Sequence, residues 1–450
     1  MSRPPRRPGP DLQNVTTGAM VAIVGVFSSF PIVLQGLTAV GASPEQAGAG
    51  LAAAAISMAI AGIVLAWWRR EPISCAWSTP AVALLAASQP LADGFAGAVA
   101  AFIVAGGLIT LAGLWPALAR LVTSVPTALA QAMLAGVLAG LCMAPFRGLA
   151  EAPEVSLPIL LSWFVVGRVK RILAVPAAVL AALGVTLWAH DFSLPISGGW
   201  MSHPVWVTPV FSPEAILGLG VPLFVVTMAT QNIPAVAVLR SFGYTPPPGP
   251  LLAGVGGISL LTAPFGNPAT CLAAITASMC ANADSHPDPS RRYWSAVIAG
   301  VFYSLFGLFA VAVTAVAALA PPMTLQVLAG VALLPVFATS ASGALQTEES
   351  REGAAVTFLV TASGITLWGL GAAVWGLALG GAGAGRAVME EVSKHKNLSP
   401  RLQFQRPPFS SPKSVLARGV PVLREAPVPL PRLIGTTGKV ICFGFLVPIS

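Results

Sequence analysis

The most unusually placed polar residues of this chain lie inside apolar runs rather than in a hydrophilic cleft. Gln231 and Asn232 interrupt the stretch FVVTMATQNIPAVAVLRSFGY just ahead of Pro234. Ser78 and Thr79 precede Pro80 within PISCAWSTPAVALLAA, which begins at Pro72. Asn267, Pro268 and Thr270 open PFGNPATCLAAITASMC, which begins at Pro264. Amides and hydroxyls donate and accept hydrogen bonds but do not titrate near neutral pH, so the chemistry they offer is recognition. Each proline removes a backbone donor and clashes with the preceding turn, so neither proline-opened run makes a good uninterrupted helix. A helix that starts inside a membrane exposes free N–H groups and a partial positive charge, which is an anion site needing no Lys or Arg. Ser78 and Thr79 are placed to cap one such half-helix. Asn267 is placed to cap the other, with Thr270 one turn further in. Gln231 and Asn232 are costly to bury unless they face a cavity or another helix. In the first apolar run Phe27 and Ser28, beside Ser29, Phe30 and Pro31, offer a ring face and a hydroxyl. Every one of these positions also has a purely structural use, as cap, kink or interhelical bond.

Such residues need a scaffold that sets them in mid-bilayer, and the composition supplies one. Of 450 residues, 55% are hydrophobic and 9% charged, against about 25% charged in an average soluble domain. A soluble globule of this size needs a charged surface, whereas lipid tolerates such a chain. Apolar runs of about 17–25 residues are candidate spans. They fall near 14–38, 46–68, 72–89, 94–116, 122–145, 156–169, 172–189, 213–239, 250–263, 266–282, 293–318, 322–345 and 354–381. The last carries Ser363 and Gly364 near its middle and is either one tilted helix or two short ones, which would bring the total to fourteen. With the N-terminus inside, Arg3, Arg6, Arg7, Arg69, Arg70, Arg120, Arg168, Lys170, Arg171, Arg240, Arg291, Arg292 and Arg351 gather on the cytoplasmic side, and Arg147 stands outside. One miscounted helix would invert every later loop, so the lopsided split supports the topology.

Fourteen spans divide into seven and seven, and an odd number per half makes the halves an inverted repeat. The expected fold is therefore an all-α polytopic membrane protein with two interrupted spans at matching positions. Its layout is a cytoplasmic tail over 1–12, a first repeat over 13–190, an external loop over 191–212, a second repeat over 213–382 and a Pro-rich basic cytoplasmic tail over 383–450. That last tail (QRPPFSSPKS, REAPVPLPRL) holds most of the formal charge of +8. It reads as disordered, or as lying on anionic lipid, rather than as a nucleic-acid surface. A reading-frame artefact is the competing account of it. The apolar run after Asn14 is long and lacks a cleavage site, so it reads as a first span and not as a cleaved signal. The five cysteines form no CxxC pair and fit as small core residues. The segment Asp284–Arg292 lacks a ligand spacing and reads as a structured cytoplasmic loop. No metal or cofactor is implied.

The blocks PISCAWSTPAVALL, QNIPAVAVLRSFGY and LAAITASMC with HPDPSRRYW resemble the benzoate/proton symporter (BenE) family, over roughly residues 12–381. The resemblance implies the fold shared with uracil permeases and sulfate-type anion transporters. In that fold a core of spans one to four and eight to eleven moves against a gate built from the rest. It implies substrate bound between the third and tenth spans, and proton-coupled import of benzoate; with the charge split of the loops, the expected setting is a bacterial inner membrane with both termini cytoplasmic. Residue by residue it carries over Ser78, Thr79, Gln231 and Asn232. The tenth span departs from the family pattern, with Pro268 and Cys271 where members tend to show His and Asn. Away from the span ends the membrane interior also holds no Asp, Glu, His, Lys or Arg. A coupled proton would therefore travel on the substrate or use a loop-edge acid such as Asp93; otherwise coupling is absent. The expected partners are a benzoate-like anion, a proton, the lipid bilayer and a second copy in a homodimer.

The competing functions are a purine, pyrimidine or inorganic-anion carrier on the same fold, and a membrane-embedded transferase. A nucleobase carrier is expected to place acids in the eighth and tenth spans, where this chain has amides and Pro. A transferase needs acidic clusters or a catalytic base at the membrane edge, and a passive channel needs polar stripes on several helices. Neither pattern is present, so the chain is expected not to be an enzyme.

Overall fold

In lipid every backbone polar group must find a partner within the protein, and the apolar runs meet that demand chiefly as helices. The computed structural model describes residues 9–123, 126–192, 199–367 and 370–381. The expected tail over 383–450 and most of the N-terminal tail lie outside the described residues.

Asp11 accepts from Asn14 N and caps α1 (Leu12–Phe27), which breaks at Ser28-Ser29 and resumes as α2 (Phe30–Ala39). A capping box of Ser43 and Gln46 starts α3 (Pro44–Arg69). Then come the strand β1 (Cys75–Trp77), the half-helix α4 (Thr79–Ala86), α5 (Gly94–Leu114) and the short α6 (Pro116–Thr123). The first half closes with α7 (Thr127–Glu151), α8 (Pro153–Val169) and α9 (Ala174–Ala189). The second half opens with α10 (Glu214–Ser241) and α11 (Pro248–Thr262). It continues with the strand β2 (Thr270–Leu272) and the half-helix α12 (Ala274–Ala281). Then follow α13 (Tyr293–Leu308) and α14 (Ala310–Ala318), bent by 53° against each other. α15 (Thr324–Ala344), α16 (Glu348–Ala362) and α17 (Ala372–Gly381) complete it.

Eight of the described helical segments are long and apolar enough to cross a membrane unaided, and the bent pair makes a ninth. The other apolar elements are shorter pieces. The run over 354–381 is two helices, because Gly364 turns the chain at φ 69° after α16. The run expected over 122–145 lies further along, at Thr127–Glu151, and keeps Pro145 inside the helix. Pro145 is tolerated there because Gly330 of α15 sits against its ring, leaving no side chain in the way.

The two halves interlock. α3 packs on α13 and α5 packs on α11, which is one contact repeated by an internal two-fold relation between the halves. Small residues set both approaches. A Cβ on Gly106 would meet Leu260 N at 2.8 Å, one on Gly307 would meet the Ile56 side chain at 2.8 Å, and one on Gly256 would strike Thr110. The gate helices pack among themselves, α7 against α15 and α16, and α8 against α9, and add two smaller apolar clusters to the main one. Gly256→Leu is therefore expected to force α11 off α5, since overpacking costs about 1–3 kcal/mol. The midpoint of thermal unfolding in detergent should fall by several degrees; an unchanged midpoint would show that the two helices are not in close contact.

Candidate functional site

The third and tenth spans are both broken, and their breaks pair. β1 runs antiparallel to β2, with Cys75 opposite Leu272, Ala76 opposite Cys271 and Trp77 opposite Thr270. Ser78 N donates to Ala269 O and Ala273 N donates to Ser74 O, both at 3.0 Å, extending the ladder at each end. The outer edge of β2 is satisfied by side chains. Thr270 N donates to Ser259 Oγ at 3.2 Å, and Leu272 N donates to Asn232 Oδ1 at 2.9 Å. Extended backbone survives inside a membrane only where it is buried in protein with its groups paired, as the outward N–H groups of β2 are.

From this ladder the two half-helices start, and their first turns differ. Ser78 caps α4, its Oγ accepting from Ala81 N at 3.4 Å, and Pro80 has no N–H to offer. Thr79 N is thus the one uncommitted amide of that turn. At α12 the N-cap is Ala273, with no side-chain cap. The N–H groups of Ala274, Ile275 and Thr276 therefore keep no partner among the described residues. Three open amides and a helix dipole make the start of α12 the stronger anion cradle.

The residues expected to bind divide into two sets. Ser78, Asn232, Asn267 and Thr270 are fully buried and committed to the scaffold. Ser78 Oγ accepts from Thr227 Oγ1 at 2.8 Å, tying α4 to α10. Asn232 holds β2 and donates to Met228 Sδ at 3.4 Å. Asn267 was expected to cap the second half-helix and does not, because that helix begins seven residues later, at Ala274. Its Nδ2 instead reaches Thr262 Oγ1 at 2.7 Å, Thr270 Oγ1 at 3.0 Å and Ser57 Oγ at 3.1 Å. Asn267 Oδ1 has no partner among the described residues. Thr270, expected inside the helix, is a residue of β2 and bonds Ser57. Thr79, Gln231, Phe27 and Ser28 form the second set and are half-buried. No side-chain hydrogen bond holds Thr79 or Gln231 among the described residues. Gln231 stands one turn beyond Thr227, in a widened π-helical turn over Met228–Asn232 that ends two residues before Pro234. A π turn relieves the clash of the following proline, and such turns recur at functional sites.

Aromatic side chains collect beside the ladder. Trp77 donates to Ser29 Oγ at 2.8 Å and lies 6.5 Å from the Phe306 ring. Phe306 is 6.4 Å from Phe30, which meets Phe27 edge-on at 6.2 Å. Phe27 and Phe30 also line an apolar crevice of about 290 Å³ that reaches Thr186 of α9 and Leu328 of α15, between core and gate. A second crevice, of about 250 Å³, runs from the far end of α4 to Gly136 of α7. It is lined by Glu214, which is half-buried. The expected loop-edge acid, Asp93, is instead exposed.

Sequence patterns do not reveal Ser57, Ser259, Thr262 or Thr227, because a lone hydroxyl in an Ala- and Gly-rich helix carries no periodic signal. Trp77 and Phe306 were equally silent. The loop after α12 is structured: His286 Nε2 lies 2.9 Å from Asp11 Oδ2, and Arg292 donates to His286 O and Ala281 O, both at 2.7 Å. The backbone bond from Asn14 holds the Asp11 carboxyl below the ordinary range, with His286 and Arg291 adding to it. Between α3 and β1, burial pushes the Glu71 carboxyl up, partly offset by Arg69 and by the backbone of Thr245.

Residues 10–385 match the family described as benzoate membrane transport protein. The inner membrane protein YdcO of Escherichia coli is 37% identical over 373 residues, 82% of this chain and 94% of the relative. The benzoate membrane transport protein of Acinetobacter baylyi is 28% identical over 369 residues, 82% of this chain and 93% of the relative. Among solved structures, the transmembrane domain of the cyanobacterial bicarbonate transporter BicA superposes with a TM-score of 0.56 at 17% identity, covering 82% of this chain and 96% of that one. That likeness concerns the fold, which is the sulfate-transporter-like arrangement of core and gate.

Proposed function

The chain belongs to the benzoate membrane transport protein family and is a multi-pass inner-membrane transporter rather than an enzyme; from that premise we propose that it imports benzoate or a related aromatic carboxylate by alternating access, with proton symport. The observation that carries this is the unequal pair of half-helix starts. One carboxylate fits the three open amides of α12, with the free amide of Thr79 at the start of α4 and the half-buried Gln231 of α10 as further polar groups of the core, and no basic residue is required. Phe27 and Phe306, half-buried and backed by the buried Phe30 and Trp77, supply ring faces suited to an aromatic body.

A small inorganic anion carried on the same fold is the second reading, favoured by the backbone character of the cradle, which would also accept an oxyanion. The ring cluster favours the aromatic acid. For the coupling proton we place Glu214 ahead of Asp93, since it lines the crevice alongside α4. Cytoplasmic termini and a homodimer belong to the same proposal.

Radiolabelled benzoate should accumulate in proteoliposomes when the outside is made acidic, and Glu214→Gln should make that uptake indifferent to the gradient. Absence of benzoate uptake alongside robust bicarbonate uptake would reassign the substrate. Wild-type uptake already indifferent to the gradient would remove the coupling and keep the carrier.

A further inference from the structure

At the junction of α8 and α9 the chain leaves one span and enters the next, so this turn sits at an edge of the bilayer. A groove of about 390 Å³ opens there between α8, α9 and α15. Arg168 and Arg171 form its polar end, and Trp163, Phe164, Leu334 and Pro335 form its apolar wall. The Arg168 guanidinium lies 5.0 Å from the centre of the Phe164 ring, a cation–π contact that keeps the charge at the groove's mouth.

The charges at this turn are uncompensated. Arg168, Lys170 and Arg171 are exposed, and none makes an ion pair among the described residues. Elsewhere in the protein Arg69, Arg291 and Arg351 each face an acid, and Arg292 is held by carbonyl oxygens. The helix start adds to the positive end, since a 3-10 turn over Arg171–Leu173 leads into α9 and Lys170 before it makes no side-chain cap. Three cations, a helix start without a side-chain cap and an adjoining apolar trough at the level of the headgroups have the chemistry of one ligand class.

We propose that this groove binds an anionic glycerophospholipid, with the phosphate held by Arg168 and Arg171 and an acyl chain along Trp163, Leu334 and Pro335. A free phosphate would use the arginines and leave the trough unfilled; a zwitterionic lipid would fill the trough and bring its own cation to the arginines. The site belongs to the gate. α15, which supplies Leu334 and Pro335, packs on α2 as well as on α7, so a lipid seated here braces the helix against which the core must slide.

The test uses the full chain, delipidated in detergent, titrated with phosphatidylglycerol or phosphatidylcholine of matched chains, and read by native mass spectrometry. Phosphatidylglycerol should bind about tenfold more tightly. The double variant Arg168→Gln/Arg171→Gln should lose that preference, and Arg147→Gln, which alters a basic residue outside the groove, should keep it. A second readout is the rise in thermal midpoint on adding phosphatidylglycerol, expected for the wild type and absent in the double variant. Equal binding of the two lipids, a preference that survives in the double variant, or full displacement by inorganic phosphate would each overturn the proposal.

Discussion

Ile275→Pro should lower benzoate uptake by about 10–100-fold while leaving the protein folded. Ile275 is the second residue of α12, the position that Pro80 occupies in α4. A proline there is compatible with the helix, because the N–H it removes has no intrahelical partner. α4 already shows the same backbone tolerating it. What the substitution deletes is one of the three open amides, and a hydrogen bond to a charged group contributes about 1.5–3 kcal/mol. Ile275 is 69% exposed, so no packed core is disturbed. The measurements are initial uptake rate in proteoliposomes and thermal midpoint in detergent. Normal uptake in a stable variant would place the carboxylate away from α12.

The second large effect is expected at Asn232. Asn232→Ala strips β2 of the acceptor for Leu272 N in a fully buried setting. A buried donor left without a partner costs about 1–3 kcal/mol, so folded yield and thermal midpoint should drop together with uptake. Asn232→Asp keeps an oxygen at the same place and should restore much of the midpoint, while its charge next to the cradle should still depress uptake of an anion. If alanine leaves the midpoint unchanged, α10 is not what holds the second break in shape. If aspartate leaves uptake unchanged, the cradle is not close to α10.

The third break was legible from composition, because Ser-Thr-Pro followed by an Ala-rich run writes a cap, a first turn and a helix in order. The tenth break was legible as a break but misplaced. Asn267-Pro268 imitates the same start, yet Thr270-Cys271-Leu272 are strand-favouring residues, and the chain stays extended until Ala273. The weight of the site moves with that correction. Asn267 and Thr270 become struts, and the proposed binding surface rests on backbone amides that no side-chain motif encodes. Gln231 and Asn232 looked alike in sequence; a one-residue step around the helix sends Asn232 into the ladder and leaves Gln231 half open. The gate was harder to read, because its helices are held by small residues whose partners, such as Pro145 with Gly330, lie far apart in the chain.

The strand pair joins segments nearly two hundred residues apart, and side chains along a strand alternate between its faces. Adding or deleting one residue in either break would slip the register by one and turn Trp77 away from Ser29, and Thr270 away from Ser57. The lengths of the two breaks are therefore locked to each other. Drift in one half of the gene can be accepted only if the other half answers it, so the two repeats, however far their sequences diverge, are bound to change these few positions in step.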